Sequence, residues 1–561
     1  MEKNTGLGDD ETILKKSTKG VTFLMFGQLF GKVLTFLLNN MLVRFLSPRV
    51  FGINAFLEFL VSTTLFFSRE AVRLSTLRIK TPRATENEND TQDTHGPVLQ
   101  MALNFAYIPL CIGIPLSLFL IGWQYSNLND YFISLPYFRL SILMIWLSII
   151  FELLSEPFFI VNQFLLNYKV RSQIESLSMI SACAVNFAMV YLYESKINGS
   201  GATLHNVSKQ EGIAILAFSV GKLAHSVTLL GCYYYDYLTK FAPTKQFTVI
   251  PSKIHISSGT TPFYLQSDIL QHFKKVYFQL CFKHLLTEGD KLIINSMCTV
   301  EEQGIYSLLS NYGSLVTRLL FAPIEESLRL FLTRLLCVTS TKNLRLSMEV
   351  LINLTKFYLY LSLIIVIFGP TNSPFLLQFL IGSKWSSTSV LETIRIYCFY
   401  LPFLSMNGIF EAFFQSVATG EQILRHSYLM MVFSIVFLAN CWIFISYYKM
   451  SLEGLILSNI LNMGLRIAYC GWFINGFYKN LFAGSHNASF LVNFKNFRLI
   501  SVISCVLIFF NWYLFGTVKN FRQFTFNLIL ATVLVIFILY KERKLIRSYI
   551  KREDTLDVKG V

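Results

Sequence analysis

The chain has 561 residues, of which 53% are apolar and 15% aromatic, but only 14% charged. Soluble domains carry about a quarter of their residues as Asp, Glu, Lys and Arg, so this composition excludes an ordinary soluble enzyme and places the chain in a bilayer. The formal net charge of +15 is spread over the segments between apolar runs. That pattern suits the positive-inside bias and anionic head groups better than nucleic acid.

Residues 1–20 are polar and mixed in charge, without the apolar core or cleavage site of a removable signal. The first membrane helix is therefore expected to direct insertion. A span needs about 20 apolar residues. By that measure helices are predicted near 21–46, 50–72, 98–123, 137–165, 173–193 and 211–235, then near 273–297, 303–328, 347–369, 388–417, 421–446, 452–477, 498–515 and 522–541. The fold class is an all-α polytopic membrane protein of about 14 transmembrane helices. Glu156-Pro157 predicts a break in the fourth span. With the N-terminus in the cytosol, alternation puts about 31 Lys and Arg on cytosolic segments and about 9 opposite, so both termini are expected in the cytosol. Asn198 and Asn206 carry glycosylation sequons in the expected non-cytosolic loop, while those of Asn89 and Asn487 fall on the other side, so sequons do not fix the orientation. The ten cysteines are scattered, mostly in apolar runs and without a C-x-x-C, and read as buried thiols.

This order divides into a tail (1–20), an N-terminal lobe of helices 1–6 (21–235) and a linker (236–272). A C-terminal lobe of helices 7–12 (273–477), helices 13 and 14 (498–541) and a tail (542–561) follow. The polar connections 79–97 and 236–272 are expected to be cytosolic and mobile.

A near-repeat supports the two lobes. Residues 69–78 read REAVRLSTLR and residues 325–334 read EESLRLFLTR, aligning Glu70, Arg73, Leu74 and Arg78 with Glu326, Arg329, Leu330 and Arg334. Upstream, Gly52 and Ile53 align with Gly304 and Ile305, and Ser47 with Thr299. The two alignments differ in offset by about four residues, one helical turn. A duplicated unit with basic residues on membrane helices is the pattern of a two-lobed transporter.

An Arg or Lys at the centre of a span costs about 2.5–3.5 kcal/mol on insertion scales, so such residues face a cavity or a partner. The first lobe offers Lys32, Asn39, Asn40 and Arg44 on helix 1, Glu58, Arg69, Glu70 and Arg73 on helix 2, Glu152 on helix 4, and Lys222 and His225 on one face of helix 6. The second offers Lys283, His284, Glu288, Asp290 and Lys291 on helix 7, and Arg318, Glu325, Glu326 and Arg329 on helix 8. Glu392, Arg395 and Glu411 follow on helix 10, and Arg466 on helix 12. Converging bases would bind a phosphorylated head group through charge-assisted hydrogen bonds. The competing reading is structural. Glu70–Arg73 and Glu326–Arg329 are i,i+3 pairs, and arginines near helix ends snorkel to the membrane surface. Arg73 and Arg78 lie about 140° apart around a helix and do not form one anion clamp. Asn39 and Asn40 serve equally as interhelical glue, and Lys222 with His225 as a proton relay or a hydrogen-bonded pair. No nucleotide loop, H-E-x-x-H or Cys/His cluster is present, so no cofactor, no metal and no catalysis are expected.

The runs NNMLVRFLSPRVFGINAFLEF, FFSREAVRLSTLR, FELLSEPFFIVNQF, FQLCFKHLLTEGDKLIINS, EEQGIYSLLSNYGSLVTRLLFAPIEESLRLF and GIFEAFFQSVATGEQIL resemble the eukaryotic Rft1-type oligosaccharide-lipid translocation family, its fungal members above all. The resemblance covers roughly residues 20–540. It implies the multidrug/oligosaccharidyl-lipid/polysaccharide exporter superfamily, with two six-helix lobes about a central cavity. It also implies movement of a dolichol-pyrophosphate-linked oligosaccharide to the luminal leaflet of the endoplasmic reticulum. The bacterial lipid II flippase of that superfamily holds a pyrophosphate with arginines on helices 1, 2 and 8. By position this implies Lys32, Arg44, Arg69, Arg73, Arg318 and Arg329 as head-group ligands here, with Asn39, Asn40, Glu70, Lys222, His225, Lys291, Glu326 and Arg466 as further cavity groups. Two other classes stay open: a cation-coupled small-molecule antiporter of the same fold, and a membrane scaffold of the glycosylation machinery.

Overall fold

The computed structural model describes residues 37–76, 79, 91–127, 130–165, 167–197, 204–243, 247–254, 263–287, 294, 296–317, 321–336, 340–382, 385, 389–481 and 495–543. Among them the chain is helical almost throughout, and the β structure is an isolated antiparallel bridge between Ile254 and Phe263. Contacts divide the chain into two compact units, Met1–Leu292 and Ile293–Val561. The first contains α1 (Pro48–Thr76), α2 (Thr91–Phe105), α3 (Ile108–Asn127), α4 (Asp130–Ile133), α5 (Phe138–Leu154), α6 (Glu156–Phe164), α7 (Tyr168–Ile197), α8 (Leu204–Lys240) and α9 (Ser267–Thr287). The second contains α10 (Val300–Val316), α11 (Ala322–Leu336), α12 (Thr341–Ile381), α13 (Val390–Val417), α14 (Gly420–Cys441), α15 (Ser451–Leu481), α16 (Lys495–Phe515) and α17 (Phe521–Lys541).

Nine helices among the described residues are long and apolar enough to cross a membrane, and α16 adds a shorter apolar stretch, Ile500–Leu514. Their outward faces carry Phe119, Leu192, Phe509, Tyr513 and Ile536 in the open. In water such surface would aggregate; in a bilayer it meets hydrocarbon. None of the described cysteines is in a disulfide; they are buried at 183, 398, 441 and 470 but exposed at 111 and 505.

Prolines set the breaks. Between α5 and α6 the helix interrupts at Ser155, leaving Pro157 in the first turn of α6, where its missing N–H is not needed. The span expected at 98–123 is also two helices. Pro109 cannot donate to the Phe105 carbonyl, and α2 ends there with Ala106 bonded back to both Ala102 and Leu103. Boundaries elsewhere run past the expected ones. The 41 residues of α12 extend about 60 Å at 1.5 Å each, twice a hydrocarbon core, so its polar first turns stand outside the membrane. Asn206, expected in a loop, lies in the first turn of α8. The asparagines of the other three sequons lie outside the described residues.

The repeat is visible in the caps. Ser47 Oγ accepts from Val50 N at 3.3 Å at the start of α1. Its partner in the alignment, Thr299, accepts from Glu302 N at 3.4 Å at the start of α10, while Glu302 Oε2 accepts from Thr299 N at 2.7 Å. Both are N-caps, the second a full capping box. Each cap is tied to the corresponding later helix of its own unit. Ser47 Oγ donates to Glu211 Oε1 at 3.0 Å on α8, and Glu302 accepts from the Ser451 hydroxyl of α15. The serine and glutamate have changed places between the two copies.

Two expectations about connections change. The segment 236–272 was expected to be mobile, yet its described parts are bound to α2. Asn104 Nδ2 donates to Ser252 O (2.8 Å) and Tyr264 O (2.9 Å), and its Oδ1 accepts from Ser252 N (3.2 Å). Gln100 Oε1 accepts from Thr248 N (2.9 Å), and Tyr107 OH donates to Val249 O (2.6 Å). Phe241 and Phe247 pack with Leu99, Leu103 and Val161 beneath this strap. Polar composition suggested solvation, but amides spaced four apart on α2 satisfy the strap's backbone instead. Likewise α2 begins at Thr91, inside the connection expected at 79–97. Lastly α9, counted by the repeat as the first helix of the second lobe, packs on α1, with His284 stacked on Phe66 at 4.1 Å between ring centres.

Candidate functional site

Two charge clusters stand inside the helix bundles, one in each unit. In the first unit Arg69 and Arg73, four apart on α1, share a helix face. Glu152 near the end of α5 and Glu156 at the start of α6 are also four apart, and the turn at Ser155 keeps them in step. The two ladders meet in register. Arg69 Nη1 donates to Glu152 Oε1 at 2.7 Å and reaches Glu156 Oε1 at 3.5 Å. Arg73 grips Glu156 as a fork, Nε to Oε2 at 2.9 Å and Nη2 to Oε1 at 2.5 Å. The Glu156 side chain is 1% exposed and that of Arg73 15%. Arg73 also lies over the Phe159 ring at 3.7 Å, with Arg171 over the same ring at 4.5 Å.

Around this ladder other charges pair off. Glu70 stands 3.8 Å from Arg73, so the i,i+3 pair of the first repeat copy is formed. Lys222 is ion-paired with Glu58, and Lys222 and His225 both act electrostatically on Glu152. The result is a closed set in which the positive charge of Arg69 and Arg73 is already met by carboxylates. Desolvated pairs of this kind are held by geometry. Removing one partner costs about 3–5 kcal/mol, whereas replacing both with apolar groups is often neutral. Arg69 and Arg73, expected as head-group ligands, are thus placed together: the Arg73 fork is occupied by Glu156, while Arg69 is engaged through Nη1 alone and its buried Nε has no hydrogen-bond partner among the described residues.

The second unit is built differently. Glu325 on α11 lies against Gly408 of α13, where a Cβ would overlap the carboxylate. It is within electrostatic reach of Glu411 and Arg329. Glu411 on α13 is bracketed by amides four residues either side, Asn407 Nδ2 at 3.3 Å and Gln415 Nε2 at 3.0 Å. His426 of α14 and Cys470 of α15 are each in electrostatic reach of both Glu411 and Arg466. The Nε of Arg466 is buried and has no hydrogen-bond partner among the described residues. Arg329 is exposed, as is Glu326, and the i,i+3 ion pair seen in the first repeat copy is not formed between them. Among the described residues neither Arg329 nor Arg466 has a carboxylate within 4.0 Å.

Of the remaining expected groups, Arg44 and Asn39 are exposed and Asn40 is half-buried, all on the segment leading into α1. Lys32, Arg78, Lys291 and Arg318 lie outside the described residues, as do the side chains of Lys283 and Arg334. Sequence reasoning recognised Glu156 only as a helix breaker and missed it as an ion-pair partner. The signal was available: two basic residues and two acidic residues with the same four-residue spacing, on the second and fourth apolar segments.

Comparison with known proteins agrees with this architecture. The Rft protein family profile (Rft-1) matches residues 16–552. The chain is 60% identical, over 100% of both chains, to the Man(5)GlcNAc(2)-PP-dolichol translocation protein RFT1 of Saccharomyces cerevisiae. It is 60% identical to the protein of that name in Eremothecium gossypii, over 98% of this chain and 99% of the other. To the one in Xenopus tropicalis it is 28% identical, over 84% of each chain. Among solved structures, the inward closed conformation of the lipid II flippase MurJ superposes with a TM-score of 0.61 at 12% identity, covering 93% of this chain and 99% of that one. An inward-facing multidrug resistance MATE family transporter of the MOP superfamily gives 0.51 at 13% identity, covering 82% of this chain and 99% of that one. The fold is therefore that of a multi-pass membrane transporter, and the chain belongs to the Rft protein family.

Proposed function

We propose that this protein moves a dolichol-pyrophosphate-linked oligosaccharide from the cytosolic to the luminal leaflet of the endoplasmic reticulum membrane, ahead of protein N-glycosylation. Both termini face the cytosol, and no bond of the substrate is made or broken. The observation that carries this reading is the 60% identity, end to end, with proteins named for Man(5)GlcNAc(2)-PP-dolichol translocation. The charge distribution supports it. A pyrophosphate is held by bases whose donors are not already taken by acids. Among the described residues of the second unit, Arg329 and Arg466 fit this; Lys32, Arg44, Lys291 and Arg318 are further head-group bases by their place in the sequence, and Glu326 is the neighbour of Arg329 on α11. Arg69 and Arg73 instead brace α1 against α5 and α6. With no nucleotide motif in the sequence, movement is passive or coupled to a gradient.

A binding measurement tests the assignment. Charge-assisted hydrogen bonds contribute about 1.5–3 kcal/mol each, so R329A/R466A should bind the dolichol-pyrophosphate oligosaccharide at least tenfold more weakly than the parent protein in detergent. Undiminished binding by the folded double variant overturns the role given to these two arginines.

A further inference from the structure

A second polar feature of the C-terminal unit is unused by the translocation reading. A cavity of about 440 Å³ opens among α12, α13, α15 and α16, with Glu392, Arg395 and Glu453 in its lining beside Phe399, Ile508 and Trp512. All three charged residues sit toward one membrane face, near the starts of α13 and α15 and the end of α16. None makes a side-chain hydrogen bond or ion pair with a protein group among the described residues.

The helix dipole accounts for the acids, since Glu392 and Glu453 stand in the first turns of their helices. It does not account for Arg395, a half-buried cation one turn further into the same positive helix end. An arginine placed there without a protein partner is expected to meet a ligand or a head group. Pro370 of α12, also in the lining, has no N–H for the Val366 carbonyl, leaving that oxygen without its usual i+4 donor. The wall is aromatic and aliphatic, and Trp512 belongs to a residue type that concentrates at the head-group level of membranes.

We propose that this cavity binds a glycerophospholipid with a zwitterionic, primary-amine head group. Arg395 takes the phosphate oxygens, Glu392 and Glu453 accept from the ammonium, and Phe399, Ile508 and Trp512 cover the first methylenes of the acyl chains. One base between two acids matches a head group that is itself one anion and one cation. The acids disfavour a purely anionic lipid, and a primary ammonium has three N–H donors for them where a quaternary one has none. The bound lipid bridges α16 to α12, α13 and α15 and goes beyond the transport reading, which assigns these residues nothing.

The test is native mass spectrometry of the full-length protein in detergent, with dioleoyl phosphatidylethanolamine, phosphatidylcholine or phosphatidylglycerol added at equal concentration. The expected result is about tenfold higher occupancy with the ethanolamine lipid than with either other lipid. Occupancy should fall to the level of the other two in R395A and in E392Q/E453Q. I508W, which fills the cavity from its apolar wall without altering a charge, should also lose the preference and serves if R395A does not fold. Equal occupancy by the three lipids overturns the proposal, as does a preference that survives I508W. Choline lipid retained as well as ethanolamine lipid overturns the ammonium contacts, and higher occupancy by phosphatidylglycerol overturns the role of the acids.

Discussion

Removing Glu156 should do more damage than removing the arginine it holds together with it. In the parent protein its carboxylate accepts from Arg73 at 2.9 and 2.5 Å and is reached by Arg69 at 3.5 Å, with the side chain 1% exposed. In Glu156→Ala the Arg73 guanidinium, 15% exposed, keeps its desolvation without a bidentate partner. With Glu70 at 3.8 Å as its remaining carboxylate, the loss of the buried partner costs up to about 3–5 kcal/mol, a large share of the 5–15 kcal/mol that holds an ordinary domain together. Arg69 retains Glu152 at 2.7 Å, so the loss is that of one rung. Arg73→Met/Glu156→Leu removes both charges and leaves Phe159 against an apolar side chain, a change expected to be neutral to within about 1–2 kcal/mol. The assays are thermal melting by fluorescence-detected size exclusion and glycosylation of a reporter glycoprotein in cells dependent on this protein. E156A should yield little folded protein, and the double variant should recover both folded protein and glycosylation. Wild-type melting of E156A would refute the stabilising ladder. A double variant that folds normally yet fails to support glycosylation would place Arg73 on the substrate.

Further expectations concern packing and the strap. Gly212→Ala would drive a Cβ into the Pro136 carbonyl, a backbone atom that cannot step aside, and should lower thermal stability by about 1–3 kcal/mol. Gly122→Ala and Gly231→Ala open onto free space and should be neutral or slightly stabilising, about 0.5–1 kcal/mol within a helix; equal damage at all three would refute the close-approach argument. Asn104→Ala deletes three hydrogen bonds, to Ser252 and Tyr264, so limited proteolysis should cut within 247–254 at least several-fold faster, with the rest of the chain protected. An unchanged cleavage rate would show that Phe241 and Phe247 hold the segment without it.

Much of this fold is written in periodic apolar runs, because a bilayer demands long helices whose backbone bonds are internal. The two-unit repeat was legible too, and Ser47 and Thr299, aligned as merely similar residues, turn out to occupy one capping role. Extents were harder to read: α12 runs 41 residues, but hydropathy sees only its apolar middle. The break before α3 was missed although Pro109 carries the same signal as Pro157. Charge positions were clear from the sequence, but pairing was not. Whether Arg69 and Arg73 face a ligand or Glu152 and Glu156 depends on how α1 is rotated against α5 and α6, a tertiary property. The same holds for Arg395, recorded among the intramembrane charges but without its cavity, whose walls come from four helices.

The central claim is that this chain itself carries the lipid-linked sugar across, using bases of its second unit. Purified protein reconstituted into vesicles with Man(5)GlcNAc(2)-PP-dolichol in the outer leaflet measures it directly, by the rate at which the sugar becomes inaccessible to an added lectin. The parent protein should accelerate that movement over protein-free vesicles, and R329A/R466A should lose the acceleration while melting at the parent temperature. No acceleration by a parent protein that still binds the substrate would contradict the claim and assign the chain to a supporting, scaffold role.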